Sequence, residues 1–161
     1  MILTTHILSG AALGANVENP WAVAVLSVVL HFVLDTLPHG DYLNRKSSIL
    51  EFWKVLVDIA ISILILIGIV NCCRQMSDPI TTRNIFIGIF FSLLPDGTTF
   101  MYCHLGMKFL KPVKKFHEYL HFYKNGAPQR QFSLRNNLFD ILVSLISLMF
   151  LVSQISFPVF H

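Results

Sequence analysis

Charge is scarce in this sequence: of 161 residues only 13% are Asp, Glu, Lys or Arg, while 54% are hydrophobic and the mean hydropathy is +0.63. An ordinary soluble domain devotes about a quarter of its residues to charge, so this balance excludes one. Cysteine is scarce as well. Cys72 and Cys73 are adjacent and Cys103 stands alone. Neighbouring cysteines seldom bridge each other, and there is no Cys-x-x-Cys, which excludes a disulfide framework and a thiolate metal site. The N-terminus lacks a basic start and a small-residue cleavage site followed by a soluble domain, so Met1 to Ala15 reads as a retained helix, not a signal peptide. What remains is a single integral membrane domain over residues 1–161, all-α, with helix packed on helix inside lipid.

Five apolar segments set the expected spans: about Ile2 to Ala15, Pro20 to Leu37, Ile49 to Val70, from Thr82 to the Pro95 region, and Leu134 to Ile155. The first is short and rich in Ser9, Gly10, Ala11, Ala12, Gly14 and Ala15, small residues that let helices approach closely, so it is expected at the centre of the bundle. Leu37-Pro38-His39-Gly40-Asp41 and Leu94-Pro95-Asp96-Gly97 read as one proline turn used twice, and Asp58 is echoed by Asp140. A degenerate repeat over 20–72 and 82–157 would produce both echoes.

Between the spans, Lys108, Lys111, Lys114 and Lys115 interleave with Phe109, Leu110, Val113 and Phe116. That is the pattern of an amphipathic helix on an anionic membrane surface, where the lysines meet lipid headgroups; the plainer alternative is that they anchor the segment and set topology. Nothing in the charge pattern calls for a nucleic acid. With five spans, Arg45, Lys46, Lys54, the four lysines of 108–115, Lys124, Arg130 and Arg135 share one side, against Arg74 and Arg83 opposite. The positive-inside rule makes the richer side, with the N-terminus, cytoplasmic in a multi-pass inner-membrane topology.

The polar residues within the apolar runs carry the chemistry. His31, Asp35 and His39 are four apart, so on a helix they fall in one line about 6 Å apart per step. Imidazole with carboxylate suits Zn, Mn or Fe. The bland reading is a His31–Asp35 hydrogen bond joining two helices. His117-Glu118-Tyr119-Leu120-His121 spells His-Glu-x-x-His, two imidazoles one turn apart with an acid beside the first; in zinc proteases that acid activates the metal's water. Its bland reading is a solvated polar face. By the same topology His6, Asp41, Asp58, Asp96 and Asp140 lie towards the cytoplasmic side as well.

Thr5-His6, the His-x-x-x-Asp running into Leu-Pro, the Leu-Leu-Pro-Asp turn and the later histidine pair together resemble the membrane-bound metal-dependent hydrolases typified by LexA-binding inner-membrane hydrolases. His31 to His39 is also distantly similar to the His-x-x-x-Asp of zinc-dependent phospholipase C. The resemblance implies a divalent transition metal, zinc first, held by His6, His31, Asp35, Asp96, His117 and His121. The residues themselves add His39 as a ligand, Glu118 or Asp41 as the base, and Asp58 and Asp140 as acceptors orienting histidine N–H groups. The expected activity is hydrolysis of a phosphoester or lipid-related substrate. The alternatives are a membrane zinc protease using His117, Glu118 and His121, and a metal-binding membrane protein that is not an enzyme.

Overall fold

The computed structural model describes residues 1–42, 49–72, 79–121 and 132–156. Arg45, Lys46, Cys73, Arg74, Lys124 and Arg130 lie outside the described residues. Within them are six helices, α1 (Leu3–Asn16), α2 (Pro20–Asp35), α3 (Trp53–Cys72), α4 (Pro79–His104), α5 (Lys111–Leu120) and α6 (Leu138–Ser156), with short 3₁₀ turns at Ile49–Phe52 and Lys108–Leu110. Among these residues there is no β-strand, so the all-α expectation is met.

The expected count of five spans is not. Among the described residues two helices are long and apolar enough to cross a membrane, one over Leu50–Ile69 and one over Pro79–His104. The fourteen residues of α1 and the sixteen of α2 reach only about 21 and 24 Å, short of a hydrocarbon core of about 30 Å. Apolar composition indicated burial, and for α1 the burial is in protein: it packs against α2, α3, α4 and α6 and is enclosed almost throughout.

The small residues of α1 do place it at the centre. A Cβ on Gly10 would stand 2.5 Å from the Gly88 carbonyl oxygen of α4, and one on Gly88 would collide with the Gly10 carbonyl. Van der Waals contact between two backbones is what small-residue stripes provide. Side chains are distributed inside out relative to a soluble protein. Thr5, His6, Ser27, His31, Asp35, Ser62, Ser92 and Asp140 are fully enclosed, while Leu56, Leu64, Ile67, Phe86, Phe90, Leu142, Leu145 and Met149 face outward.

Local capping explains where the elements begin. Asn19 Oδ1 accepts from Trp21 N (2.9 Å) and Ala22 N (3.3 Å), with Pro20 in the first turn, which starts α2. The start of α1 is capped from other helices: Leu3 N donates to Asp58 Oδ2 (2.7 Å), Thr4 N to Asp58 Oδ1 (3.1 Å) and Ile2 N to Asp140 Oδ1 (2.9 Å). Asp58 and Asp140 therefore serve the helix start, where free N–H groups and the helix dipole favour a carboxylate, and not the histidines.

The second proline turn is also corrected. Pro95 lies inside α4, which continues to His104. A proline disturbs the hydrogen-bond ladder one turn upstream, and helices at membrane depth tolerate this where other groups satisfy the freed backbone. Next to the carbonyl that loses its N–H partner to the proline, that of Phe91, the Ser92 carbonyl accepts from His31 Nδ1 at 2.7 Å.

The backbone contact at Gly88 and the open space at Gly97, where an added Cβ meets nothing within 4 Å, make opposite predictions on one helix. Gly88→Ala should destabilise the protein by about 1–3 kcal/mol through overpacking, whereas Gly97→Ala should be neutral or stabilising by up to about 1 kcal/mol through helix propensity. Thermal unfolding of the two variants in the same detergent measures both.

Candidate metal centre

The start of α1, the end of α2, Asp96 of α4, the inner face of α5 and the start of α6 meet at one end of the bundle. Asn137, just before α6, ties this end together by donating to Gly40 O (2.8 Å) and Asp140 Oδ2 (2.9 Å). Every site residue expected from the sequence reaches this end.

Asp35 is at the middle. Its Oδ2 lies 2.9 Å from His31 Nε2, 3.0 Å from His117 Nε2 and 2.8 Å from His121 Nε2. The imidazole nitrogens also face one another: His117 Nε2 is 3.2 Å from His31 Nε2 and 2.8 Å from His121 Nε2. Two triangles thus share the Asp35–His117 edge. The other carboxylate oxygen is held separately, accepting from the Met1 backbone nitrogen at 3.0 Å and standing 3.2 Å from His6 Nε2. The His6 ring stacks on that of His31 with centroids 4.1 Å apart.

Further out, His39 Nε2 is 3.2 Å from His121 Nδ1 and 3.5 Å from Asp41 Oδ1, and Asp96 Oδ1 is 3.6 Å from His117 Nε2. Among the described residues the result is four overlapping triads that could hold a metal ion: His6, His31 and Asp96; His31, Asp35 and His117; Asp35, His39 and His121; Asp96, His117 and His121.

Tautomers decide between a hydrogen-bonded cluster and a cation site. A backbone carbonyl only accepts, so His31 Nδ1, 2.7 Å from Ser92 O, must carry the proton, as must His39 Nδ1, 2.7 Å from Leu37 O. Both rings in their neutral form then turn a bare Nε2 lone pair inward. For His31 that lone pair faces a carboxylate oxygen and another imidazole nitrogen at hydrogen-bond distance, an arrangement that needs either an extra proton or a cation between them. A carbonyl on the remote ring nitrogen is the arrangement that orients a metal-ligating histidine. Zinc with bonds of about 2.0–2.1 Å would set neighbouring ligand atoms roughly 3.3 Å apart, a few tenths beyond the distances seen here. His6 Nδ1 is buried without a hydrogen-bond partner, a second group whose environment is incomplete. The donor set therefore fits a divalent metal.

For His39, outside the helices, burial is the largest influence and pushes its pKa below 6.5, with the Met1 ammonium acting in the same direction. The neutral, ligating ring is favoured there. Tyr42 is pushed up from 10, first by burial and then by Asp58, so its hydroxyl stays protonated and donates to Asp58 Oδ2 at 2.9 Å.

The expected amphipathic helix, α5, covers one side of this site. α5 turns His117 and Lys114 inward, with Lys114 paired to Glu118, while Lys108, Lys111 and Lys115 remain exposed. A cavity of about 490 Å³ adjoins the cluster and is lined by Asp41, Asp96, Thr99, His117, Glu118 and His121 at its polar end.

Sequence reasoning missed Thr99, whose Oγ1 is 2.8 Å from His117 Nδ1. The signal was available: Thr99 lies three residues beyond Asp96 and so on the same helix face, provided that Pro95 is read as lying within the helix. It also missed the Ser92 and Leu37 carbonyls, which have no side-chain signature. Compared with known proteins, the chain matches no family model, no curated protein and no solved structure.

Purified protein loaded with zinc and stripped of loosely held metal should lose bound zinc on Asp35→Ala or His117→Ala, by one equivalent or more. His104→Ala should leave the content unchanged, because His104 packs against Phe52 (4.9 Å) and Phe100 and belongs to none of the four triads. Elemental analysis by mass spectrometry reads the difference.

Proposed function

We propose that this chain is a metal-dependent hydrolase embedded in the cytoplasmic membrane, with zinc as its metal and a phosphoester, lipid-related substrate. The observation that carries the reading is the convergence of His31, His117 and His121 Nε2 on one oxygen of Asp35, at 2.8–3.0 Å, with His31 fixed in the ligating tautomer.

In this reading His31, Asp35, His117 and His121 hold the metal, with His6, His39 and Asp96 on its flanks. Zinc would supply Lewis acidity and a water that ionises near neutral pH. The protein's own groups do the rest. Ser92 O and Thr99 Oγ1 fix the His31 and His117 rings, and the Met1 nitrogen and His6 hold Asp35 Oδ1 so that Oδ2 points at the cluster. Glu118 and Asp41 both line the cavity, and Lys114 pairs with Glu118 and holds it in place. Either acid can take the proton of the attacking water. Asp96 and Thr99 face the same space.

Orientation follows from charge. The exposed Lys108, Lys111 and Lys115 flank the site's end of the bundle, which the positive-inside rule assigns to the cytoplasmic leaflet, and they suit anionic headgroups. The same pairing of His117 and His121 with Glu118 in one cavity is what a zinc protease would use, so the two chemistries divide on Glu118.

Zinc-loaded protein should hydrolyse phosphate esters in preference to peptides. Glu118→Gln should lower kcat for the phosphoester by about 10²–10⁴-fold if Glu118 is the base and much less if Asp41 is. Hydrolysis of peptides alone, abolished by the same change, would replace the phosphoester reading with the protease one.

A further inference from the structure

The cavity beside the histidines is also lined by the two helices long enough to cross a membrane. Of its walls, Phe52, Val55 and Ile59 come from the 3₁₀ turn and first half of α3, and Leu93 and Phe100 from α4. α3 packs along α1 and not along α4. The gap is closed at one end by Phe52, whose ring meets Phe100 at 5.1 Å and His104 at 4.9 Å. Beyond these walls the outer surface of α3 is Leu56, Leu64 and Ile67, exposed and apolar. The cavity's lining thus passes from apolar side chains of α3 and α4 to the carboxylates, imidazoles and lysine beside the His/Asp cluster.

We propose, resting on the hydrolase reading above, that this cleft seats the apolar tail of a membrane amphiphile with one hydrocarbon chain, so that its phosphoester head reaches the His/Asp centre without leaving the bilayer. Three observations select that occupant. Away from the cluster the walls are mainly apolar, with Leu3, Phe52, Val55, Ile59, Leu93 and Phe100, which suits a chain and not a soluble head-only substrate. At about 490 Å³ the space lies in the lower half of the roughly 300–1,000 Å³ range of small-ligand sites, room for one chain and not for two. The polar end sets imidazoles and Lys114 beside Asp41, Asp96 and Glu118, with Lys114 paired to Glu118, so an anionic head would be drawn there by the divalent metal that the histidines would hold.

The proposal is tested with zinc-loaded protein in phosphatidylcholine nanodiscs and a series of alkyl phosphates from ethyl to hexadecyl. kcat/KM should rise by up to about fourfold for each methylene that enters the cleft and level off when the cleft is full. Val55→Trp and Ile59→Trp, each filling the cleft, should lower kcat/KM for hexadecyl phosphate roughly tenfold or more and leave ethyl phosphate unchanged. Ile59→Ala, which enlarges the cleft, should move the plateau to longer chains. Equal turnover of ethyl and hexadecyl phosphate, or a parallel loss of both in the tryptophan variants, overturns the proposal.

Binding of hexadecylphosphonate, which cannot be hydrolysed at its carbon–phosphorus bond, separates the two readings. Calorimetric binding that the tryptophan variants weaken, with no hydrolysis of any ester, keeps the cleft and removes the hydrolase. Hydrolysis without chain-length dependence or tryptophan-sensitive binding removes the cleft and keeps the hydrolase.

Discussion

A carboxylate shut away from water has to be matched on every side, and Asp35 is the group that the interior of this protein is built to match. Its two oxygens have separate partners. Oδ1 takes the Met1 nitrogen and stands beside His6, both belonging to the α1 end of the bundle. Oδ2 takes three imidazoles from α2 and from the α5 helix and its C-terminal cap. Removing charge from water costs several kcal/mol per ion unless such partners are present, so the placement of α1 and α5 is coupled to a single side chain at the end of α2.

That coupling explains why α1 is short, polar at its start and central. A helix beginning inside a low-dielectric bundle exposes free N–H groups that water cannot reach. Asp58 from α3 and Asp140 from α6 supply the acceptors, and Thr4 and Thr5 add hydroxyl contacts to the same two acids. The two aspartates that echo each other in the sequence hold the same helix start from two sides. In doing so they fix the depth of His6, five residues into the chain and one ring-stack from His31. Further along, Gly10 and Gly88 bring the backbones of α1 and α4 into contact, and Ser92 beside this crossing donates to His6 O (2.8 Å) while its carbonyl accepts from His31. Packing and site thus share residues.

Spacing alone made much of this legible. The four-residue interval of His31 and Asp35, and of His117 and His121, survives translation into structure because a helix turn is rigid. Convergence at one end was readable from where polar residues fell along each apolar run. What spacing could not show was which partner a buried acid would choose: Asp58 and Asp140 look like histidine partners, yet a helix start presents several N–H groups at once and outcompetes a single ring. Nor does hydropathy distinguish burial in lipid from burial in protein, which is why α1 reads as a span until its neighbours are known. Pro95 misleads for a related reason. A proline often ends a helix in water, but inside this bundle α4 runs on past Pro95, carrying Thr99 to His117.

The tautomer of His31 links these layers most tightly. Because Ser92 O fixes the proton on Nδ1, Nε2 cannot act as a donor to Asp35 while the ring is neutral, and the 2.9 Å approach places two lone pairs together. A third positive element has to sit among them, either protons on the rings or a metal. Protonation would satisfy one imidazole at a time, whereas the cluster presents three Nε2 atoms to one oxygen, two of them 2.8 Å apart. One divalent cation relieves all of these contacts at once, at no cost in the hydrogen bonds that hold the rings from behind. The features that would be strained in an ion-free cluster are therefore the ones a metal site requires, and they lie where the apolar cleft between α3 and α4 meets the polar end of the bundle.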